Sequence, residues 1–169
     1  MNVTGLSSQY TVRRMTESDI DRIYELSVGN PLFYQYCPPF VTKESIRKDM
    51  EALPPGTTGE DKFYVGFFED GRLIAVMDLV LNYPDARTSF IGLFMMAREK
   101  QGQGIGSRIV SGCASYIRGL GYEFIRLGYA KGNPQSESFW KKNGFAETGV
   151  EADNGAYTVV VMQRCLQEK

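Results

Sequence analysis

The run Gln101-Gly102-Gln103-Gly104-Ile105-Gly106-Ser107 stands between an apolar strand pattern and an amphipathic helix pattern, and it constrains the fold more than any other stretch. Three alternate glycines let a chain reverse tightly and keep side chains away from the backbone N–H groups. Where such a turn opens a helix, those N–H groups and the positive helix end form an anion site, and a pyrophosphate is the natural guest. A tight turn that holds no ligand is the alternative. Two other phosphate motifs fit worse. A Walker loop requires Gly-Lys-Ser/Thr, but Gly106 is followed by Ser107 and Arg108. A dinucleotide fingerprint requires glycine or alanine where Ser107 stands, in a unit that opens a parallel sheet, and this turn comes late in the chain.

The pattern around the turn predicts a β-α-α-β-β-β-α-β-α-β order, with a further short strand near 145–150. Residues 1–8 read as a loose tail, and Tyr10–Met15 as a first strand. Thr16 with Asp19 three residues on forms a capping-box pattern, and Ile20, Ile23, Tyr24 and Leu26 give the following helix one apolar face. The three prolines of Asn30–Phe40 argue against regular structure there. Thr42 is the next N-cap, Ile46, Met50 and Leu53 keep helical spacing, and Pro54-Pro55-Gly56 stops that helix. Lys62–Phe68 and Arg72–Leu81 are strands joined by the hairpin signal Asp70-Gly71, and Thr88–Met96 follows as a third. Ile105, Ile109, Cys113, Ile117 and Leu120 mark a helix that ends at Gly119–Gly121. Phe124–Tyr129 is a strand parallel to the one before it. Asn133-Pro134 opens a last helix, Gly144 ends it, and Tyr157–Met162 is the final strand. The expected class is α/β: an antiparallel meander, then a parallel β-α-β unit, with helices on both faces of a mixed sheet.

Composition narrows the functions. A chain of 169 residues suits a single domain with one core of ordinary size. The balance of 19 basic against 20 acidic residues leaves no global drive toward nucleic acid or membrane. No apolar run approaches the length of a membrane span. The start lacks a basic n-region and an apolar h-region, so no secretory signal is expected and the cytoplasm is the default setting. The absence of histidine rules out a His-based triad, and the spacing of Cys37, Cys113 and Cys165 suggests neither a disulfide framework nor a metal site.

Against that background the chain resembles the GNAT superfamily of acyl-CoA N-acyltransferases. The family's central motif, Gln/Arg-x-x-Gly-x-Gly/Ala, is matched by Gln101, Gly104 and Gly106. Ile91–Met96 resembles its fourth strand, and Asn133–Phe145 its second signature: an Asn, a small residue three on, an aromatic pair, then Gly-Phe. The resemblance spans about Tyr10 to Leu166 and is specific from Ile91 to Phe145. It implies acetyl-CoA as donor and a small-molecule or peptide amine as acceptor, with a homodimer as the common assembly. It also implies a cofactor set. Backbone N–H groups from Gln103 through Gly104, Ile105 and Gly106 to Ser107 would hold the pyrophosphate, in a turn begun by Gln101 and Gly102. Met95 and Met96 would lie along the pantetheine arm, and the Phe94 N–H would point at the thioester carbonyl. Asn133, Ser136 and Trp140 would meet the arm from the other side. Arg98 or Lys100 would reach the remaining phosphate.

The acid–base groups are less defined. Trp140 stands where many members of the family carry a tyrosine that protonates the departing thiolate, and an indole N–H has no useful proton to give. Tyr129, at the end of the neighbouring strand, is a substitute candidate or simply a half-buried strand tyrosine. The fourth strand has no carboxylate to act as base. Asp78 instead interrupts the apolar run Ile74–Leu81, where a carboxylate must be paired or exposed. It either serves a cationic acceptor, as an attractor or a proton relay, or it faces solvent or pairs with Arg72 or Arg87. Phe33, Tyr34 and Tyr36 in the aromatic segment are candidate walls of the acceptor site, or else a core plug or dimer contact. Two other functions remain open at this point: a non-catalytic acyl-CoA-binding module and a nucleotide-binding oxidoreductase.

Overall fold

The computed structural model describes residues 1–167. Its centre is a seven-stranded sheet in the order β1-β2-β3-β4-β5-β7-β6. The strands are β1 (Thr11–Arg14), β2 (Lys62–Glu69), β3 (Arg72–Val80), β4 (Thr88–Met96), β5 (Phe124–Ala130), β6 (Ala146–Asp153) and β7 (Thr158–Cys165). All neighbouring pairs are antiparallel except β4 and β5. The β2–β3 hairpin turns on Asp70 and Gly71 with φ of 49° and 76°, the left-handed pair that a two-residue hairpin loop requires.

Five helices cover the sheet: α1 (Ile20–Val28), α2 (Pro31–Tyr36), α3 (Lys43–Glu51), α4 (Ile105–Gly119) and α5 (Pro134–Lys142). Side-chain alternation on the central strands feeds two cores. Val65, Ala75 and Met77 pack with Ile109, Val110 and Ile117 of α4 and with Trp140 of α5. Tyr64 and Val76 pack with Ile23 and Leu26 of α1 and Ile46 of α3. The Thr16–Asp19 capping box forms as expected, over a single 3₁₀ turn that precedes α1. The Asp19 carboxylate also takes two 2.8 Å hydrogen bonds from the Arg13 guanidinium. That fork, opposed by burial and helped by the Thr16 N–H, lowers the Asp19 carboxyl to about 2. Among the described residues no helix is long and apolar enough to cross a membrane.

Several expectations need correction. The N-terminal residues are not a loose tail: Val3–Leu6 makes a 3₁₀ turn, and Leu6 is fully buried in the α4-side core. Gly5 lies so close to the Tyr116 ring that a Cβ there would sit 2.3 Å from it. Asn30–Phe40 is not wholly irregular, because Pro31 occupies the first turn of α2, where its missing N–H is harmless. Leu53 and Leu120 extend the helical spacing on paper but lie outside α3 and α4, and both are exposed. The strand expected near 145–150 is a full eight-residue edge strand, β6.

Leu6→Ala therefore tests the placement of the N-terminus. A cavity at a fully buried leucine costs about 3 kcal/mol. For a domain of this size that lowers the thermal midpoint by roughly 6–12 °C. Differential scanning calorimetry of the variant reads it directly, and a loose tail would leave the midpoint unchanged.

Candidate active site

Strands β4 and β5 are paired only from Thr88↔Phe124 to Ile91↔Leu127. Beyond that point β4 stays with β3 as far as Met96↔Ala75, while its other edge is unpaired. Gly92 is the extra residue of a bulge in this stretch, since Leu93 lies opposite Asp78 and Ile91 opposite Leu79. The Ala97 N–H donates to the Ile74 carbonyl at 2.8 Å. Alternation along the strand then turns the backbone groups of Phe94 and Met96 toward the open side. The Met96 carbonyl accepts from Asn30 Nδ2 at 3.0 Å and from Gln101 Nε2 at 3.1 Å. Gln101 Nε2 also donates to Asn30 Oδ1 at 2.6 Å, so these two amides hold the end of β4 against the start of α2.

The glycine turn lies at the mouth of this opening. Gly102 and Gly104 have φ of 72° and 75°, the left-handed region that a side chain resists. Gly104 is also the N-cap of α4, and it has no side chain with which to cap. The first helical hydrogen bond runs from the Arg108 N–H to the Gly104 carbonyl. In contrast, Thr42 caps α3, and Asn133 Oδ1 takes the N–H groups of Gln135 and Ser136 to cap α5. The leading N–H groups of α4 thus form an uncapped positive helix end, the arrangement that binds anions. Gly106 brings α4 close to α5: a Cβ there would lie 3.2 Å from the Phe139 ring.

The groove so formed has room for about 280 Å³. Phe94, Met95, Met96, Gln101, Gly102, Gly104, Gly106, Ser107, Asn133, Ser136 and Trp140 line it. Gln103 and Ile105 do not line it with side chains: the Gln103 amide donates to the Glu99 carbonyl, and Ile105 is core. An aromatic stack forms one wall, with Phe94 5.9 Å from Phe139 and Trp140 4.9 Å from Phe139, centre to centre. Trp140 also meets Phe145 at 5.1 Å and is buried, so it fills the gap where the strands part.

Of the two cations the sequence offered, one lies at the groove. Arg98 lies outside it, beside Arg22 and Arg72 in a separate surface groove. Lys100 does line the groove, but its ammonium is bonded to Glu69. Lys142, at the end of α5, is the lining cation that has no ion pair among the described residues. Asn30, Gln135 and Phe139 also belong to the groove without having been singled out. Asn30 carried a legible signal, since Asn30-Pro31 repeats the helix-opening pair Asn133-Pro134.

Tyr129 is not brought to the groove. Its ring is buried and its hydroxyl donates to Glu147 Oε1 at 3.2 Å. Burial, reinforced by that carboxylate, pushes the phenol up to about 12, which makes it a poorer acid than a free tyrosine. Asp78 does not line the groove either, and it pairs with neither Arg72 nor Arg87. Its Oδ2 accepts from Lys62 Nζ at 2.8 Å, and both side chains are almost fully buried. Burial raises the Asp78 carboxyl, and the Lys62 ammonium works against that rise. Asp78 Oδ1 is buried without a hydrogen-bond partner. Of the aromatic segment, Phe33 lines the groove. Tyr34 packs between Phe33 and Phe40, and Tyr36 is half-buried away from the groove.

A mixed sheet that splits beside an uncapped, glycine-opened helix makes a groove suited to an extended ligand that carries a phosphate. The profile of the acetyltransferase (GNAT) family matches residues 20–145, and the chain belongs to that family. It is therefore an acyltransferase that takes its acetyl group from acetyl-CoA. No curated protein sequence matches the chain. Solved structures share its fold. An acetyltransferase from Salmonella typhimurium that modifies the N-terminal serine of a 50S ribosomal subunit protein superposes with a TM-score of 0.74, at 19% identity, covering 96% of this chain and 98% of its own. A spermidine N-acetyltransferase chimera from Vibrio cholerae and hSSAT gives 0.70, at 20% identity over 94% and 96%. The PaiA N-acetyltransferase of Thermoplasma acidophilum, solved with coenzyme A, gives 0.66, at 18% identity over 92% and 98%.

Gly104→Glu places a side chain on a left-handed residue and a negative charge at the anion site. Coenzyme A affinity measured by titration calorimetry is expected to fall at least tenfold while the circular dichroism spectrum is retained. Undiminished affinity would remove the turn from the site.

Proposed function

We propose that this protein acetylates a primary amine by direct attack, with the donor lying along the free edge of β4. One observation carries the reading: the unpaired β4 edge and the uncapped end of α4 open into the same groove. The N–H groups of Ile105, Gly106 and Ser107 take the pyrophosphate, and Lys142 adds the nearby positive charge. The pantetheine arm completes the edge that β5 leaves, against the N–H of Met96 and the wall of Phe139 and Trp140. The donor, when bound, supplies an acyl carbon activated as a thioester.

The Phe94 N–H points to where negative charge develops on the thioester oxygen. A fixed backbone donor in such a place contributes roughly 3 kcal/mol to the barrier reduction. The acceptor enters from the α1–α3 side, where Phe33 reaches the groove. It arrives as an ammonium ion, since an alkyl amine has a pKa of about 10. Asp78 receives one of its protons. The nitrogen lone pair then forms the C–N bond as the C–S bond breaks, the nitrogen's surplus proton leaves with the thiolate sulfur as the thiol, and Asp78 releases its own proton to water. Trp140 contributes shape to this site and no acid. Relatives of this fold act on spermidine and on a protein N-terminal serine, and a primary amine is the group those acceptors share.

The test is thiol release from acetyl-CoA across a panel of polyamines, amino sugars and short peptides. Asp78→Asn lowers kcat/KM by about a hundredfold, the usual scale for one acid–base group. The sign of the pH dependence follows from burial. The working form is the carboxylate, so activity falls as pH drops through a carboxyl raised above its ordinary range, and the Asn variant loses that acid limb. An Asn variant with full activity at every pH would remove Asp78 from the reaction.

A further inference from the structure

The proposed base is held by a residue from a strand that does not border the donor groove. Lys62 opens β2, and its side chain is almost fully buried. In the β2–β3 register Tyr64 lies opposite Asp78 and Lys62 opposite Val80, so Lys62 and Asp78 are diagonal neighbours on the α1–α3 face. The Lys62 ammonium makes two hydrogen bonds of 2.8 Å, one to Asp78 Oδ2 and one to the Asp49 backbone carbonyl. Asp49 is in the last turn of α3, where carbonyl groups lack helical partners and the helix dipole is negative. One cation thus closes the end of α3 and grips one oxygen of Asp78.

The other half of the arrangement lies on β4. A Cβ at Gly92 would be 2.6 Å from Asp78 Oδ2, so the bulge glycine makes the space in which the carboxylate lies. With Oδ2 taken by Lys62, the unpartnered Oδ1 is the oxygen left to accept a proton. A lysine required only to cap α3 has no need of a carboxylate across the sheet. A carboxylate required only to pair that lysine has no need to keep an oxygen bare.

We propose that Lys62 is a positioning residue of the acetyl-transfer site, clamping Asp78 through Oδ2 so that Oδ1 remains ionised and free to take the proton of the acceptor ammonium. This rests on the reading of Asp78 given above. The groups that face Asp78 are Lys62 and Tyr64 from β2 and the Asp49 carboxylate from α3; β4 contributes only Gly92. Burial raises the phenol of Tyr64 and, farther off, that of Tyr34, so neither charges in the working range. The Asp49 carboxyl is raised by burial and then by the charge on Asp78, while Lys62 lowers it. Among the described residues Lys62 is therefore the one cation that favours an ionised Asp78, against burial and a second carboxylate. Without it the Asp78 carboxyl rises further, and the acid limb of activity moves toward neutral pH.

The experiment is the pH profile of kcat/KM, with an acceptor found in the amine screen, for Lys62→Met, Lys62→Arg, Asp78→Asn and the double variant Lys62→Met/Asp78→Asn. Lys62→Met is expected to move the acid limb up by at least one pH unit and to cut kcat/KM at pH 7 at least tenfold, with the KM for acetyl-CoA unchanged. Lys62→Arg, which keeps the charge, returns the limb to within about half a unit of the wild-type position. A Lys62→Met protein that loses thermal stability but keeps the wild-type limb would overturn the proposal, because a purely structural cap predicts that result. If Lys62→Met does not fold, the double variant decides, since it leaves no buried charge unpaired. Activity equal to that of Asp78→Asn supports action through Asp78, and a further tenfold loss overturns it. Failure of the underlying reading looks different: Asp78→Asn alone would then keep full activity and an unchanged limb.

Discussion

The end of the β4–β5 ladder at Ile91↔Leu127 is the constraint on which the rest of the site depends. Two parallel strands that part company leave backbone donors and acceptors without partners, and a buried group left so costs about 1–3 kcal/mol. The chain meets this in several ways. Asn30 and Gln101 satisfy the Met96 carbonyl from the side. Phe94, Phe139, Trp140 and Phe145 fill the widening gap with ring surface. The remaining edge faces the groove, where an extended, amide-bearing ligand can complete the ladder. The same parting places the first turn of α4 at the groove's mouth, so the uncapped helix end and the free strand edge face one groove.

The two faces of the sheet divide the work. The α4–α5 face carries the donor groove and its wall. The α1–α3 face carries the buried Lys62–Asp78 pair among apolar neighbours. A buried ion pair is weak evidence for stability, because desolvation offsets most of the attraction. The pair lies beside the Gly92 bulge, one residue from Phe94 in the Asp78↔Leu93 register, where the proposed function uses it. Trp140 fits the same division. It is core to the donor side, and that position suits a large apolar ring where an acid is not required.

Legibility in the sequence followed the range of the interactions. The turn at Gly102 and Gly104 was readable because few residues other than glycine tolerate positive φ, and the helix after it because its stripe is local. The Asn133 cap, the Asp70-Gly71 hairpin and the Thr16–Asp19 box were readable for the same reason: each is closed within four residues. The burial of Leu6 was not, since so short a segment shows no clear period, and the α4 residues it meets, Cys113 among them, are far along the chain. Tyr129 was placed by its strand position, but its hydroxyl is governed by Glu147 from β6. Asp78 stood out as a charge in an apolar run, yet its partner depended on the β2–β3 register, which brings Lys62 closer than Arg72 or Arg87. Of the two cations Arg98 and Lys100 only Lys100 lines the groove, because a residue's neighbourhood in sequence does not say on which side of a turn it emerges.

The central claim is that one ligand runs from the α4 turn along the β4 edge, and amide NMR tests it residue by residue. In a titration of the ¹⁵N-labelled protein with coenzyme A, the largest shifts should fall on the N–H groups of Ile105, Gly106, Ser107, Phe94 and Met96. The amides of Leu93 and Met95, which face β3, should move little. Saturable binding that leaves the α4 and β4-edge amides unmoved, with shifts gathered elsewhere on the surface, would contradict the account.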